Sequence, residues 1–417
     1  MDPHPLARWR WAITAAFALG GIALSAWGPR LPAIKTELGI STGTIGLLLA
    51  GVTIGGIGGL LGSSHVLHWL GARRALYAAL WLVAASITVM GLGLIARSVP
   101  LVAVALVITG AGIGTLDVLI NVEGSACERT AGRTLMPSMH AAWSIGAAVG
   151  SGIGAACAAL GIAPATQLIA EAALLVAASF WVVAGVPAGP HGPAEEPGEG
   201  ASPDRAARLR EWLRGWLDWR LLLIGLVMLG CELGEGSANS WLTLAAHIDH
   251  GQSAAVAALF FTVFAASEGL TRLFAGPAVD RLGRVRITRL TTALGIVGVA
   301  LFIVSGNPWI ILVGVALWAV GVSMGFPLGM SAAAESGPNP AARISVVASI
   351  GYFAGLAGPP AIGALAQSVS LLTALWLVAA LFLAAFAVSG ALGPVRRAGS
   401  APAEPAVLLD ENSVGHQ

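Results

Sequence analysis

Twelve apolar stretches, each long enough to cross a bilayer, run along this 417-residue chain, and a polar break separates the sixth from the seventh. A helix needs about 20 apolar residues to span the hydrocarbon. The stretches fall at 12–28, 44–67, 75–96, 99–122, 139–161, 166–187, 221–245, 254–278, 288–305, 309–332, 343–367 and 370–392. In lipid the backbone must satisfy its own hydrogen bonds, so each is expected to be helical. The chain therefore reads as an all-α membrane protein with 12 transmembrane helices in two six-helix bundles. The expected units are 1–187 for the first bundle, 188–220 for a central loop, 221–393 for the second bundle and 394–417 for a disordered tail.

Only 10% of the residues are charged and 56% are hydrophobic, whereas a soluble domain carries about a quarter charged residues. A net charge of +1 argues against nucleic acid as a partner. The basic residues orient the chain. Arg30, Lys35 and Arg97 fall between spans on one side and Arg272 lies inside the eighth span. The remaining 18 of the 22 Lys and Arg fall on the other side. By the positive-inside rule that side is cytoplasmic, and both termini belong there. The first span follows Arg8-Trp9-Arg10 and is read as a retained signal anchor.

Residues 188–220 begin with a Pro/Gly/Glu-rich run that cannot pack a core. They then become Arg-rich, with Trp212, Trp216 and Trp219 suiting an amphipathic helix on the membrane face. The two halves repeat one another. Ser144-Ile145-Gly146 through Gly150 in the fifth span matches Ser349-Ile350-Gly351 through Gly355 in the eleventh. Leu70-Gly71-Ala72-Arg73-Arg74 matches Leu282-Gly283-Arg284-Val285-Arg286. Duplicated bundles with a site between them at midplane are a transporter architecture.

Gly276-Pro277-Ala278-Val279-Asp280-Arg281-Leu282-Gly283-Arg284 resembles the signature loop of the major facilitator superfamily, G-x-x-x-D-R-x-G-R. In the first half His68 and Trp69 stand where that loop has Asp and Arg. The Asp117 to Asn121 stretch, with Asn121-Val122-Glu123-Gly124 and Met139-His140, is similar to a bacterial inner-membrane group related to fucose-permease-like transporters. This resemblance implies proton-coupled movement of a small polar solute. The first span departs from that branch: it offers Ser25 and Trp27 but no carboxylate, which weakens a sugar assignment. The resemblance also implies that Asp280, Arg281, Gly283 and Arg284 act in gating, with Glu335 as a partner for Arg284.

Ionisable groups at membrane depth cost about 2.5–3.5 kcal/mol each, so each one is informative. Glu232, Glu235 and Asn239 sit at i, i+3 and i+7 of the seventh span, on one helix face that should turn to a central cavity. Two close carboxylates in a low dielectric resist being charged together, so one can load and release a proton near neutral pH. Asn239 and Trp241 are expected to touch solute, and Tyr352 to put its hydroxyl in the cavity. Asp117 and Asn121 are expected to be the first-half partners. Glu268 and Arg272, four apart, read as a structural ion pair. His140 reads as a satisfied polar group at a helix start, with a proton relay as the alternative. The Pro359-Pro360 pair is expected to bend the eleventh span.

His247 and His250 lack further clear ligands, so no metal is expected. There is no phosphate loop, nucleophile–base motif or other cofactor signature. The expectation is a monomeric secondary transporter, not an enzyme, whose partners are a small-molecule solute, protons and the lipid bilayer. It is expected in the cytoplasmic membrane of a bacterium. Export of drugs or metabolites is the alternative direction.

Overall fold

The computed structural model describes residues 3–132, 135–187, 213–337 and 340–394. Every regular element among them is helical, and eleven helices are long and apolar enough to cross a membrane. One of these, Thr42–Ile95, has 54 residues. At 1.5 Å per residue it would measure roughly 80 Å, about twice a bilayer. It is two spans joined at Gly71, whose backbone (φ 70°, ψ 161°) is not helical. Twelve crossing segments result. The expected central loop and tail fall largely on 188–212 and 395–417, outside the described residues.

The first span, Pro3–Leu24, runs through a 3-10 turn at Gly28–Arg30 into a short helix, Leu31–Leu38. The fourth, fifth and sixth are Val99–Ala131, Met136–Ala159 and Pro164–Val183. The second half opens at Trp219–Ile248, capped by Asp218, whose carboxylate accepts from the Arg220 N–H at 3.0 Å. It continues with Ala254–Phe274, Arg284–Val304, a broken tenth span (Pro308–Ser323 and Gly325–Ala334) and Pro340–Leu365, and ends with Leu371–Ala374 and Trp376–Val388.

The helix breaks have covalent causes. Pro327 has no N–H to give the carbonyl four residues back, which frees the Ser323 oxygen where the tenth span breaks. Pro359 likewise frees the Gly355 oxygen, although the eleventh helix runs on through both prolines. That oxygen lies only 2.7 Å from where a Cβ on Gly236 would stand, so the seventh and eleventh backbones meet there.

Small residues set the packing inside each half. A Cβ on Gly55 would lie 1.9 Å from the Val107 carbonyl oxygen, and one on Gly110 would lie 2.1 Å from that of Val52. The second and fourth spans thus touch backbone to backbone, the close approach that small-xxx-small patterns permit in membranes.

The halves meet at the end away from the signature loop. Thr243 Oγ1 donates to the Gly28 oxygen at 3.0 Å. A Cβ on Gly46 would stand 3.5 Å from Gly363, and one on Gly43 would stand 3.2 Å from Gln367 Nε2. The fifth and eighth spans add a contact between Ser151 Oγ and Thr262 Oγ1 at 2.5 Å.

Gly71 and Gly283 occupy matching loops and share one backbone conformation: Gly283 has φ 80° and ψ 157°. This region is essentially closed to L-residues with side chains and costs them about 1–3 kcal/mol. Nothing lies within 4 Å of a Cβ at either position, so the constraint is torsional. Gly283→Ala is therefore expected to lower unfolding stability in detergent by about 1–3 kcal/mol. Gly306→Ala, also with open space and no positive φ, should be close to neutral. Equal thermal melts for the two variants would contradict the assignment.

Candidate functional site

Between the halves lies a cavity with about 1080 Å³ of empty space, counting its open mouth. Its wall includes Ser25, Trp27, Asp117, Trp143, Asn239 and Tyr352. Tyr352 is 40% exposed although it lines the cavity. Since the far end is shut by the contacts around Gly28, Gly46 and Gly363, the mouth faces the signature-loop end.

Beside the cavity a guanidinium pairs with two acids. Arg272 Nη2 pairs with Glu235 Oε2 at 2.8 Å and with Glu268 Oε1 at 2.7 Å. Its Nε donates to the Ser323 oxygen at 3.2 Å, the acceptor that Pro327 frees. Its Nη1 donates to Ser144 Oγ at 3.3 Å, across to the first half. One side chain thus joins the seventh, eighth and tenth spans and touches the fifth. Sequence spacing pointed only to the Glu268 pair; the Glu235 contact spans 37 positions and needs the fold.

Glu232 has no hydrogen-bond or ion-pair partner among the described residues. It packs on the glycine face of the eleventh span, its Cγ 3.5 Å from where a Cβ on Gly351 would stand. Its electrostatic neighbours are Glu235, Arg272 and, from the first half, Asp117. Asp117 is held by Asn121, whose Nδ2 donates to Asp117 Oδ1 at 3.1 Å and to its backbone oxygen at 2.8 Å. Asp117 also acts on Tyr352, whose ring meets Phe326 edge-on at 5.8 Å. His140 sits within electrostatic reach of Arg272 and Glu235, its ring 5.1 Å from that of Phe17.

Asn239 lines the cavity but Trp241 does not. Trp241 is fully buried, donates from Nε1 to the Pro359 oxygen at 2.9 Å, and packs between Gly46 and Gly363. Its indole fills the closed end, where a ring two residues along the helix from Asn239 must point. Of the signature-loop residues, Asp280 and Arg281 are exposed and make no ion pair among the described residues. Arg284 Nη1 donates to Glu335 Oε2 at 2.8 Å, and Nη2 pairs with Oε1. The guanidinium holds the Glu335 carboxyl below the usual carboxylate range. His247 Nδ1 and His250 Nε2 each contact a backbone oxygen, of Gln252 at 2.7 Å and Phe302 at 2.8 Å.

Spacing gave no sign of two further buried groups. Glu123 accepts from Trp9 Nε1 at 3.2 Å. Arg30 is 4% exposed rather than in a solvated loop, and its Nη1 and Nη2 donate to the Gly154 oxygen at 3.2 Å and the Ile162 oxygen at 2.6 Å. Arg30 was placed by position between spans, and burial depends on which spans neighbour a residue.

Two helical bundles thus enclose a largely apolar cavity that carries a few polar side chains. The model of the Major Facilitator Superfamily matches residues 232–411. An uncharacterised transporter of Sinorhizobium fredii is 31% identical over 396 residues, covering 94% of this chain and 98% of its own length. An uncharacterised MFS-type transporter of Yersinia pestis is 28% identical over 373 residues, covering 88% and 91%. Among solved structures, a variant of the nucleoside transporter NupG superposes with a TM-score of 0.72 at 16% identity, covering 93% of this chain and 100% of that one. A bacterial homologue of the human lysosomal transporter Spinster, inward-facing and unoccupied, gives 0.66 at 13%, covering 94% and 95%. The chain belongs to the major facilitator superfamily, and it is a multi-pass membrane transporter of a solute.

Removing one partner of a buried ion pair costs about 3–5 kcal/mol because the others keep their uncompensated charge. Arg272→Met is expected to lose at least that much stability, seen as a lower melting temperature in detergent. A melt equal to wild type would show that the pairing carries no weight.

Proposed function

We propose that this protein is a proton-coupled secondary transporter of a small polar solute. It works by alternating access between bundles 1–187 and 221–393, joined by the loop 188–220, with Asp117, Asn121, Glu232, Glu235, Asn239 and Tyr352 as the binding groups. The observation that carries this reading is the surplus of acid around Arg272. Glu232, Glu235 and Glu268 share one guanidinium, and intramembrane charge is too costly to leave unbalanced. Three carboxylates against one guanidinium leave a surplus of two negative charges, so protons on the glutamate cluster are needed to offset it. A proton on Glu235 also removes the ion pair that holds Arg272 to the seventh span, leaving the Glu268 pair on its own helix. The same guanidinium touches Ser144 of the other half, so loading this acid changes a contact between the bundles.

Shut at the far end and open at the signature-loop end, the structure fits an inward-open state. Asp280 and Arg281 are then gate residues released from their closing partners, while Arg284 and Glu335 keep a contact within their own half. Trp241 acts in this reading by sealing the far end. The distribution of basic residues supports a cytoplasmic-membrane location with both termini inside, and the cavity within one chain supports a monomer. The fucose-permease-like branch stays a proposal resting on the Asp117–Asn121 spacing.

In proteoliposomes, Glu232→Gln and Glu235→Gln are expected to abolish solute flux driven by a pH gradient while leaving gradient-free exchange measurable. Asp117→Asn should shift the pH dependence of flux. Wild-type gradient-driven flux in both glutamine variants would sink proton coupling at this site. Flux directed outward against the gradient would favour the export reading.

A further inference from the structure

The cavity wall contains two buried donors with nothing to bond. Among the described residues Trp27 Nε1 and Ser25 Oγ have no hydrogen-bond partner, and the two residues are 4% and 2% exposed. Buried polar side chains are nearly always satisfied, and each exception calls for an explanation. Both residues line the cavity from the end of the first span, where no carboxylate occurs.

The turn that carries them is held on both sides. Thr243 Oγ1 donates to the Gly28 oxygen at 3.0 Å. Arg30 clamps the following residues to the fifth span through the Gly154 oxygen and to the next connection through the Ile162 oxygen. The donors are therefore fixed in place before any solute arrives, which lowers the ordering cost of binding. An indole N–H can only donate, so its partner must be an acceptor.

The remaining wall narrows the chemistry. Trp27, Trp143, Phe261 and Tyr352 bring aromatic rings from four different spans. Asp117 is the only charged side chain among the described residues that line the cavity. Neither nearby cation lines it: Arg30 donates to the Gly154 and Ile162 oxygens, and Arg272 is engaged by Glu235, Glu268, Ser144 and Ser323. An anion would meet Asp117 with no compensating positive charge. A cation cannot accept from the Trp27 N–H, so one drawn to Asp117, whose Oδ2 stays free among the described residues beside the Asn121 bond to Oδ1, would leave that donor unpaired.

Resting on the reading of this cavity as the transport site, we propose that its solute is an uncharged, ring-bearing molecule that accepts hydrogen bonds from Trp27 Nε1 and Ser25 Oγ while its ring packs on the aromatic wall.

The test is equilibrium binding to the purified full-length chain with matched probes. These are uridine against uridine 5′-monophosphate, phenyl β-glucoside against phenyl β-glucuronide, and benzyltrimethylammonium as the cation. At least one uncharged member should bind, with its anionic counterpart at least 100-fold weaker. Trp27→Phe, which keeps a ring and removes the donor, should weaken that binding about tenfold, the worth of one hydrogen bond, and Ser25→Ala should weaken it further. Because each variant deletes an unsatisfied donor, the ligand-free melting temperature should hold or rise. A lower melt in both variants would assign the pair a structural role and overturn the proposal.

Binding confined to anions or to the cation, no binding by either uncharged probe, or unchanged affinity in both variants would also overturn it. An anion carried by Glu232-dependent, gradient-driven flux would do so while leaving proton coupling intact. A Trp27-sensitive uncharged ligand whose flux ignores Glu232 and Glu235 would instead sink the coupling and leave this inference standing.

Discussion

The half-buried Arg272 guanidinium is the contact on which the second half of this structure turns. A lone cation at membrane depth is expensive, and here it is balanced by Glu235 and Glu268 and capped by the Ser323 oxygen. That oxygen is available only because Pro327 cannot donate to it. A helix-breaking residue in one span, an acid in a second and an ion pair in a third therefore close a single network. Its reach to Ser144 puts the network at the boundary between the halves, where alternating access requires something that can be made and broken.

Close backbone approach provides the rigid bodies that such a motion needs. The second and fourth spans touch through Gly55 and Gly110, and the seventh and eleventh through Gly236 and the freed Gly355 oxygen. Matching positive-φ glycines at Gly71 and Gly283 turn the chain identically in each half. The shared torsions say that the duplication read from the Leu-Gly-x-x-Arg loops extends to backbone geometry, even where His68 and Trp69 replace the acidic and basic residues of the other copy.

Hydrophobic length was enough to count the spans, because lipid leaves the backbone no alternative to helix, but not to place their ends: the first helix begins at Pro3 and the fourth runs on to Ala131. The Glu268–Arg272 pair was readable too, since i and i+4 neighbours meet on any helix. What could not be read was contact between spans. The grip of Arg272 on Glu235, the burial of Arg30 and the placement of Trp241 in the closed end all depend on which helices stand side by side. Periodicity along one helix fixes a face but not its neighbour. The orphaned donors of Ser25 and Trp27 belong to the same class: the residues stood out in the first span, but their lack of partners is a property of the assembled cavity.

The central claim is that protonation of the Arg272-linked acids biases the two halves. Spin labels at Arg74 and Arg286, exposed positions following Gly71 and Gly283, would report the separation of the halves at the signature-loop end without any solute. The account predicts a distance distribution that shifts with pH in the wild type and becomes pH-independent in Glu235→Gln. A distribution that responds to pH equally in both would contradict it.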